Sequence, residues 1–599
     1  QYSGTTVGSG STTSPAPTVT GYSASVLRYN QLQIGMTIDY DVTYTVNFDI
    51  VGGGASIDIG TVTKAQLATG TFIVNIQTLQ SNQEYYVYLK YSGVRVYTSP
   101  TTIFTPAPFG YFLTSVSRVL STRSGTGYFT ICGEYNAATN IQTQANITYK
   151  SLSAPSSNTG IVVKVSSPNM GITDTLTVTS SGYSEVKNSS LNASGTMAVC
   201  GIYNGSGSVT RDSTTIANLP SGSYTTLGYV TVINSTNSHV FTRCIDAQSI
   251  VVNDVTIDSG GNVYVVGSYT NVMRIRDESG TPLATGYTKS NLTGRAGYVI
   301  KFNASGAYQY MRATDNLDQY TEVLNSVKCD STGNVYVCGN SLLDPGIFTD
   351  NATQLARIFL GKSTSANHGI AIGFQPDGTL INAYVLFYDG TGSDTCSFKC
   401  IDIDSSNNVY IGGQKNLNAV KLRNKDGGDT ALMSATPNGN GILVAFTSTF
   451  GVSWRRAFGG SSSVVDSIVY SVSYPYVMCY YGNTSVTLLG VYDETNALLL
   501  SYSVPSVGRY GALLKFSQTG SFNSNSLFYR TNRLLQNIGP ESTSAVSYNG
   551  NALYTVCDGS TTGSSISITT YYTGTLRDSI SFNGGGTGLS SSVCAFDIF

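Results

Sequence analysis

The residues of this chain whose types could carry out chemistry are few and scattered. Two histidines, His239 and His368, and one tryptophan, Trp454, occur among 599 residues. Most metal-site and general-base chemistry relies on histidine, so we do not expect an enzyme. The nearest match to a nucleophile elbow, GSGS at 205–208, lies in a Ser/Gly-rich stretch that predicts a turn. The sequence therefore predicts no catalytic residues, no metal site and no cofactor.

The charge balance excludes several classes of partner. Lys and Arg number 32 and Asp and Glu 34, a net charge of −2, and charged residues make up only 11% of the chain. A nucleic-acid-binding protein would present a basic surface, which this composition does not supply. No apolar stretch is long enough to span a membrane. Hydrophobic residues still reach 41%, enough for a large core.

Sites for N-linked glycans are the clearest candidates for modification. The chain begins at Gln1 rather than Met and is rich in uncharged polar residues, which together favour a secreted glycoprotein on the cell surface. In a chain this rich in Asn, Ser and Thr, several sequons would also arise by chance. The nine Asn-x-Ser/Thr positions are Asn146, Asn188, Asn192, Asn204, Asn234, Asn291, Asn303, Asn351 and Asn483.

A short strand repeats along the chain at intervals of about 70 residues. Its clearest copies are GNVYVVG at 261–267, GNVYVCG at 333–339 and NNVYIGG at 407–413, and four weaker copies lie around residues 130, 198, 477 and 554. Three further β-branched or aromatic runs accompany most copies, bounded by Gly, Asp, Ser and Asn. Four short antiparallel strands per unit, repeated seven times, predict a seven-bladed β-propeller over residues 109–599.

The repeat resembles a propeller repeat family of the type D-x-x-G-N-V-Y-V-x-G, through the turns that begin at Asp258, Asp330 and Asp404. The resemblance covers residues 110–599, is strong in the third to fifth repeats, and implies a secreted scaffold or binding protein. Independently of it, an aspartate there should cap the turn between two strands. The longest repeats have a surplus between their second and third strands, as at 416–434 and 486–503, which predicts hairpin extensions projecting from one face.

Residues 20–108 form a second pattern, with clean alternation over 37–51, 71–79 and 84–91. This predicts a small N-terminal β-sandwich, so that the whole chain is all-β. The segment resembles a fibronectin type III or immunoglobulin-like module, in which Leu79 and Tyr85 resemble a tyrosine corner. Residues 1–19 are rich in Gly, Ser and Thr and are interpreted as a flexible arm.

Five of the ten cysteines occupy one column of the repeat, where the other copies carry Val266 and Gly412. A position that accepts Cys, Val or Gly is a small core position, which favours buried thiols. The alternative is five disulfides to the remaining cysteines, and Cys557 with Cys594, on neighbouring strands of the last repeat, is the best single pair. Arg455 and Arg456 beside Trp454 could form a recognition site or a solvated strand end, and we favour the strand end.

The last repeat is one strand short, because the chain stops at Phe599 soon after its third strand, SVCAF at 592–596. The segment that could close it, 101–111, contains two prolines, which lack the N–H that a ladder needs. A bare sheet edge is a template for another strand. The arm is the candidate to fill it, with Tyr2 and Val7 as its anchors, in the same chain or in a neighbour.

Two functions remain in competition. The first is a structural subunit of a secreted, glycosylated filament or surface layer, in which copies assemble head to tail as a helical homopolymer, through strand donation by the arm. The alternative is a monomeric cell-surface adhesin or lectin that binds a glycan or a protein on the propeller face. An enzyme on the same scaffold is the least favoured.

Overall fold

The computed structural model describes residues 18–583 with gaps. The longer gaps are 51–56, 76–82, 106–110, 167–171, 361–366, 389–394, 434–440, 522–526, 530–544 and 558–564. The chain divides into two compact units: residues 1–112 with 140–151, and residues 113–139 with 152–599. The predicted boundary at 108 lies close to the first of these limits. The segment 140–151, which the prediction placed in the propeller, belongs to the first unit.

The first unit consists of strands and one short helix. Its elements are β1 (Val19–Arg28), β2 (Gln31–Ile38), β3 (Tyr44–Ile50), β4 (Ile57–Val62), α1 (Lys64–Ala68), β5 (Phe72–Asn75), β6 (Gln83–Tyr91), β7 (Val94–Thr98), β8 (Ile103–Thr105) and β9 (Tyr111–Leu113). Strands β1, β2 and β5 form one antiparallel sheet, and β4, β3, β6, β7 and β8 form another. Alternating residues of the two sheets, including Ile34, Val46, Phe48 and Val87, are buried in one core, as period-two patterning requires.

The second unit begins at the end of β9. Its first two sheets are built largely from β10 (Val116–Gly125), β11 (Tyr128–Tyr135), β14 (Thr159–Ser166), β15 (Ile172–Ser180), β16 (Ser184–Leu191), β17 (Met197–Asn204), β18 (Gly207–Arg211), β19 (Thr214–Leu219), β20 (Thr226–Ile233) and β21 (His239–Ile257). Between β11 and β14, the hairpin β12 (Thr139–Thr143) and β13 (Thr148–Leu152) forms a small sheet with β9.

The third to fifth sheets come next along the chain and are again built from short strands. Their strands are β22 (Val263–Asp277), β23 (Pro282–Thr288), β24 (Ala296–Phe302), β25 (Tyr308–Asp315), β26 (Val323–Cys329), β27 (Val335–Leu342), β28 (Gly346–Thr349), β29 (Gln354–Arg357), β30 (Asn367–Phe374), β31 (Leu380–Tyr388), β32 (Ser397–Ile403), β33 (Val409–Gln414), β34 (Val420–Asn424), β35 (Asp429–Met433), β36 (Gly441–Phe446) and β37 (Val452–Gly459). Strands β21 and β22 are long because each serves two successive sheets.

The last two sheets complete the unit. The remaining strands are β38 (Ser463–Ser471), β39 (Tyr474–Thr484), β40 (Leu488–Tyr492), β41 (Leu498–Ser503), β42 (Gly508–Lys515), β43 (Leu527–Tyr529), β44 (Ala545–Asn549), β45 (Ala552–Cys557), β46 (Ser565–Tyr572) and β47 (Thr575–Asn583). Of these, β40 and β41 extend the fifth sheet, and the others form the last two sheets. In the part of the chain that the structure describes, no helix is long and apolar enough to cross a membrane.

The sheets of the second unit succeed one another in a circle. We number them by their first strands, which are β10, β16, the second half of β21, β26, β32, β38 and β44, and each first strand lies against the next. Strand β44 in turn lies against β10, so the succession closes. This is a β-propeller arrangement, and the all-β prediction is confirmed. Clusters of buried residues fill the spaces between successive sheets, because both faces of each sheet are covered.

The hairpin extensions occupy a different place from the one predicted. In the second to sixth sheets, the hairpin between the second and third strands pairs with the outer strand of the preceding sheet, for example β18 with β15, β28 with β25, β34 with β31 and β40 with β37. The first five sheets therefore reach six strands. The expectation that these hairpins project from one face is wrong, because their free backbone groups complete a neighbour's ladder instead.

The seventh sheet also differs from its prediction. It contains β44, β45, β46 and β47 in sequence order, all from its own part of the chain. The predicted third strand at 592–596 lies outside the described residues, as do residues 1–17 of the predicted arm and residues 106–110 of the predicted closing segment at 101–111. The last residue of the predicted arm, Val19, belongs to β1. The strand that follows β45 in this sheet is β46, so the expectation that the seventh sheet borrows its last strand from elsewhere in the chain does not agree with the structure.

Close packing explains why the repeated stretch, such as GNVYVVG at 261–267, ends in glycine. A β-bulge interrupts the first strand of each of the first six sheets. At Gly267 a Cβ atom would collide with the carbonyl oxygen of Val251, beside this bulge. The Tyr298 hydroxyl donates to that same oxygen at 3.1 Å. Only glycine lets the second strand approach the bulged strand so closely.

Candidate functional site

Each aspartate turn of the repeat is held by hydrogen bonds within the turn and its next strand. Asp330 Oδ1 accepts from the backbone N–H groups of Thr332 and Asn334, both at 2.9 Å. Its Oδ2 accepts from the Asn334 amide at 2.9 Å and from the Tyr336 hydroxyl at 3.2 Å. The D-x-x-x-N-x-Y spacing is therefore one hydrogen-bonded unit, and Asp258 and Asp404 repeat it. No group of three or more possible metal ligands occurs among the described residues.

The same turn chemistry explains many of the glycosylation sequons. Asn303 Oδ1 accepts from the backbone and hydroxyl of Ser305, two residues on, and from the N–H of Ala307, four residues on. Asp277 makes the same three contacts in a hairpin turn that carries no sequon. Asx followed two residues later by Ser or Thr is thus the turn motif of this fold. The sequons that coincide with it are Asn192, Asn234, Asn303 and Asn351.

The side-chain amide nitrogen separates these sequons into two groups. Asn188 is 6% exposed and donates through Nδ2 to Asp254 Oδ1 at 2.6 Å, and Asn192 is 8% exposed and directs Nδ2 towards the carbonyl of Asp258 at 3.4 Å. A glycan is attached at this nitrogen, so the folded chain leaves no space for one at either residue. The prediction of glycans at these two positions conflicts with this burial.

The other sequons lie at turns, at a strand end or where the structure does not describe the side chain. Asn351 is exposed and Asn234 and Asn303 are partly exposed, and in all three the turn uses Oδ1, which a glycan leaves in place. Asn204, at the end of β17, is partly exposed. Asn146 and Asn291 fall outside the described residues, and the side chain of Asn483 in β39 is likewise not described.

The cysteines of the repeat column carry thiols. Cys200 and Cys338 are fully buried on the second strands of their sheets, and burial raises the pKa of both thiols well above its usual value. Cys244 is also a buried thiol whose pKa burial raises to about 12. The eight described cysteines are all thiols, so the alternative of five disulfides fails for them. For Cys557 only the backbone, in β45, is described, and Cys594 lies outside the described residues.

An arginine contact joins the second sheet to the third. In the second sheet, Arg243 stacks over the ring of Phe241, with its guanidinium carbon 5.1 Å from the ring centroid. Its Nε donates at 2.7 Å to the carbonyl oxygen of Gly306, in a turn of the third sheet. A guanidinium that is stacked on one sheet and hydrogen-bonded to the next fixes the two together.

The contact recurs at the equivalent turn of other sheets. Its further donors are Arg312 Nε to Gly378 O at 2.8 Å, Arg456 Nε to Gly520 O at 3.0 Å, the Tyr384 hydroxyl to Phe450 O at 2.9 Å, and Arg211 to Asn237 O. Arg456 is only 8% exposed, so its interpretation as a solvated strand end is wrong. The sequence contained a signal for three of these four arginines, an aromatic residue two positions before, at FTR (241–243), YMR (310–312) and WRR (454–456).

Asp254 makes an equivalent connection between the first strands. It is 2% exposed and accepts from Asn188 of the second sheet at 2.6 Å and from Ser326 of the fourth at 2.7 Å. The backbone N–H of Val327 also donates to it at 3.0 Å. One carboxylate in the third sheet is therefore bonded to both of its neighbours, which sequence analysis did not identify.

A second buried cluster lies beside the end of β25. Lys289 Nζ is 2.5 Å from Asp315 Oδ1, and both side chains have no solvent exposure. The Tyr287 hydroxyl donates to Asp315 Oδ2 at 2.8 Å. Nearby, Glu322 is fully buried and accepts from the Ser341 hydroxyl at 2.8 Å, and burial, reinforced by the charge of Asp315, raises the pKa of Glu322 to about 8. This concentration of ionisable groups is unusual in a chain with so few.

The remaining candidates are not brought together. His239 is half-buried, 2.9 Å from the Thr242 hydroxyl, and burial lowers its pKa. His368 is buried in β30, with its ring 6.5 Å from that of Phe387. The two histidines belong to different sheets. Tyr2 and Val7 of the arm lie outside the described residues.

Comparison with known proteins gives limited likenesses. No protein-family model matches the chain. An uncharacterized WD repeat-containing protein of Acanthamoeba polyphaga mimivirus is 22% identical over 271 residues, covering 41% of this chain and 18% of the relative. The chain thus matches less than a fifth of that relative's length.

Among solved structures, the chain is similar to enzymes only at low scores. A rhamnogalacturonan lyase, YesX, shows 10% identity and a TM-score of 0.31 over 95% of this chain and 83% of that one. A quinohemoprotein alcohol dehydrogenase of Comamonas testosteroni shows 12% identity and a TM-score of 0.27 over 65% and 69%. Scores this low carry no argument about activity, and the fold assignment rests on the sheets themselves.

Proposed function

We propose that this chain is a structural subunit of a secreted, glycosylated filament or surface layer in which copies join head to tail. The observation that carries the proposal is the outer rim of the propeller. The rim strands β23, β29 and β41 end their sheets, and in the described part of the chain no strand pairs with their outer sides. An unpaired strand edge accepts another strand through backbone hydrogen bonds.

The rim strands also carry most of the exposed large apolar side chains in the described part of the propeller. Leu283 in β23 is 42% exposed, Leu355 in β29 is 38% exposed, and Leu498 in β41 is 49% exposed. Leucine beside an unpaired edge offers side-chain contacts in addition to the ladder. With a net charge of −2, the chain has little electrostatic repulsion to keep copies apart.

The use of charge favours a scaffold over a catalyst. Ionic groups such as Arg312, Arg456 and Asp254 bond one sheet to the next. Groups committed to such contacts are not available to a substrate, whereas a ring of bonded sheets is suited to transmit force. We therefore take the chain to be non-enzymatic, and we extend the assignment to seven blades and an N-terminal fibronectin III-like or immunoglobulin-like module.

The donor strand in this proposal is the part of the N-terminal arm that precedes β1, residues 1–17, with Tyr2 and Val7 as its side-chain anchors. The arm would add to an exposed sheet edge of a neighbouring copy. Each backbone hydrogen bond would contribute about 0.5–1.5 kcal/mol net, against an ordering cost of about 1–2 kcal/mol per residue. Side-chain contacts such as those of Leu498 must therefore supply part of the affinity.

Electron microscopy of the native material and of two variants tests the assembly. We expect long regular fibres from the wild type, and folded single particles from the chain that lacks residues 1–17. Leu498→Lys should weaken fibre formation, whereas Val94→Lys, at an exposed position of the first unit, serves as the matched control. Fibres of unchanged morphology without the arm would refute strand donation. Single particles from native material would instead favour the adhesin.

Glycopeptide analysis tests the secreted, glycosylated part. We expect glycans at Asn234, Asn303 and Asn351, where the turn uses only Oδ1. We expect none at Asn188 or Asn192, whose amide nitrogens point inward. Glycans at none of the first three would refute the glycoprotein assignment, and a glycan at Asn188 would contradict the folded geometry.

A further inference from the structure

We propose that Lys289 and Asp315 form an intramolecular amide cross-link between their side chains. This site is independent of the proposed function, because it depends only on the geometry within the third sheet and its extension. Lys289 follows β23 directly and Asp315 ends β25, so the bond would join the extension hairpin to the sheet from which it departs.

The two reacting groups are held together without water. The Nζ of Lys289 lies 2.5 Å from Asp315 Oδ1, and both side chains have 0% exposure. The backbone N–H of Lys289 donates to Asn271 O at 3.0 Å, which fixes the residue from which the amine extends. An amine and a carboxyl group fixed in contact need no further ordering to react, and exclusion of water favours condensation over hydrolysis.

Two neighbours supply the polarity that the reaction requires. The Tyr287 hydroxyl donates to Asp315 Oδ2 at 2.8 Å and withdraws electron density from the carboxyl group. Glu322 is fully buried within electrostatic range of both Asp315 and Lys289. Its pKa, which burial raises to about 8, keeps it mostly protonated at neutral pH.

The atoms of the step balance without an oxidant or a co-reactant. Glu322 gives its proton to the Asp315 carboxylate and takes one from the Lys289 ammonium, and the neutral Nζ then attacks Cγ of Asp315. The Nζ–Cγ bond forms and one Cγ–O bond breaks. The departing oxygen takes two protons in all, one from Glu322 and one from the attacking amine, and leaves as water. The amide nitrogen keeps one proton, and Glu322 ends as it began.

Burial distinguishes this pair from the other lysine–carboxylate pairs of the described chain. Lys90 with Asp58 and Lys425 with Asp426 are ion pairs whose aspartates are 65% and 68% exposed, so water competes at both. The second sheet provides a buried comparison, in which Asp246 is paired with Arg276 at 2.8 Å. A guanidinium remains charged in proteins and does not condense, so that pair stays ionic.

Mass spectrometry of the folded full-length chain after deglycosylation tests the proposal directly. We expect an intact mass lower by one water molecule than the sequence requires. Trypsin should release residues 277–295, uncut at Lys289, linked to residues 313–328. The peptide that contains Asp246 should be unmodified. Recovery of 277–289 and 313–328 as separate peptides of unmodified mass from the wild type would refute the cross-link.

Three variants assign the roles. Lys289→Arg recreates the ionic pair of the second sheet and should fold, with the full mass and separate peptides. Asp315→Ala should also lose the linked peptide. Glu322→Gln keeps the shape of the side chain but cannot relay the proton, so the linked fraction should fall at least tenfold while circular dichroism stays that of a folded chain. Full linkage in Glu322→Gln would exclude Glu322 as the proton relay, and a linked product in Lys289→Arg would show that the bond involves another residue.

Discussion

The second and third sheets of the propeller each pair a buried aspartate with a cation, but the cation differs between them. Each has an aspartate three residues after its sheet-joining arginine, Asp246 after Arg243 and Asp315 after Arg312. Asp246 accepts from Arg276, whose side chain is 18% exposed, and from the N–H of Ser223. Asp315 is bonded to Lys289, which has no exposure, and to the Tyr287 hydroxyl. The same position of the repeat therefore holds an ion pair whose cation is partly exposed to water in the second sheet. In the third sheet it holds a pair with no solvent exposure.

The difference shows which part of this ion pair is fixed by the repeated fold and which part varies from sheet to sheet. Both aspartates secure the extension hairpin against the sheet, so the carboxylate position is fixed by the fold. The cation is supplied by whichever segment passes nearby, β22 in one case and the segment after β23 in the other. Because the two cations differ in exposure and chemistry, the energetic cost of losing each aspartate should differ as well.

The largest expected loss of stability is that caused by removing Asp315, whose side chain has no solvent exposure. Asp315→Ala leaves Lys289 buried without its counter-charge and should lower the free energy of unfolding by about 3–5 kcal/mol. Asp246→Ala should cost about 1–3 kcal/mol, because Arg276 keeps its bond to Gly280 O and can reach water. Denaturant midpoints of the two variants measure the contrast. Equal losses, or a larger loss for Asp246→Ala, would contradict it.

Loss of a sheet-joining arginine should have an intermediate effect, equal in the two sheets. Arg243→Ala and Arg312→Ala each remove a charge-assisted bond to the next sheet and should cost about 2–3 kcal/mol. Arg274→Ala is the control. That side chain makes no hydrogen bond or ion pair in the described part of the chain, so its loss should cost less than about 0.5 kcal/mol. A control as damaging as the two test variants would show that the bonds to Gly306 and Gly378 do not hold the sheets.

The smallest effect should come from exchanging the column residues of the two sheets. Cys200 and Val266 occupy the same position and are both fully buried. Cys200→Val and Val266→Cys change volume only slightly, so each should cost less than about 1.5 kcal/mol. Thermal unfolding measures this. A larger loss for Cys200→Val would reveal that the thiol does more than fill space.

Much of the architecture was accessible from local patterns. Period-two alternation predicted the strands, and the regular return of the D-x-x-x-N-V-Y stretch predicted a propeller. The aspartate turns were predicted correctly because the contacts that form each turn join residues at most six positions apart. The sequons were harder to interpret, because the turn motif and the glycosylation motif share the same two residues.

What the sequence determined by itself is therefore the set of strands and turns, since their hydrogen bonds join residues that are close in the chain. The tertiary structure alone decided which sheet receives each hairpin, that Arg456 bonds a neighbouring turn, that Asn188 faces Asp254, and that Lys289 meets Asp315. These partners lie between 26 and 66 residues apart. Burial, which gives these contacts their strength, arises only when the sheets pack against one another.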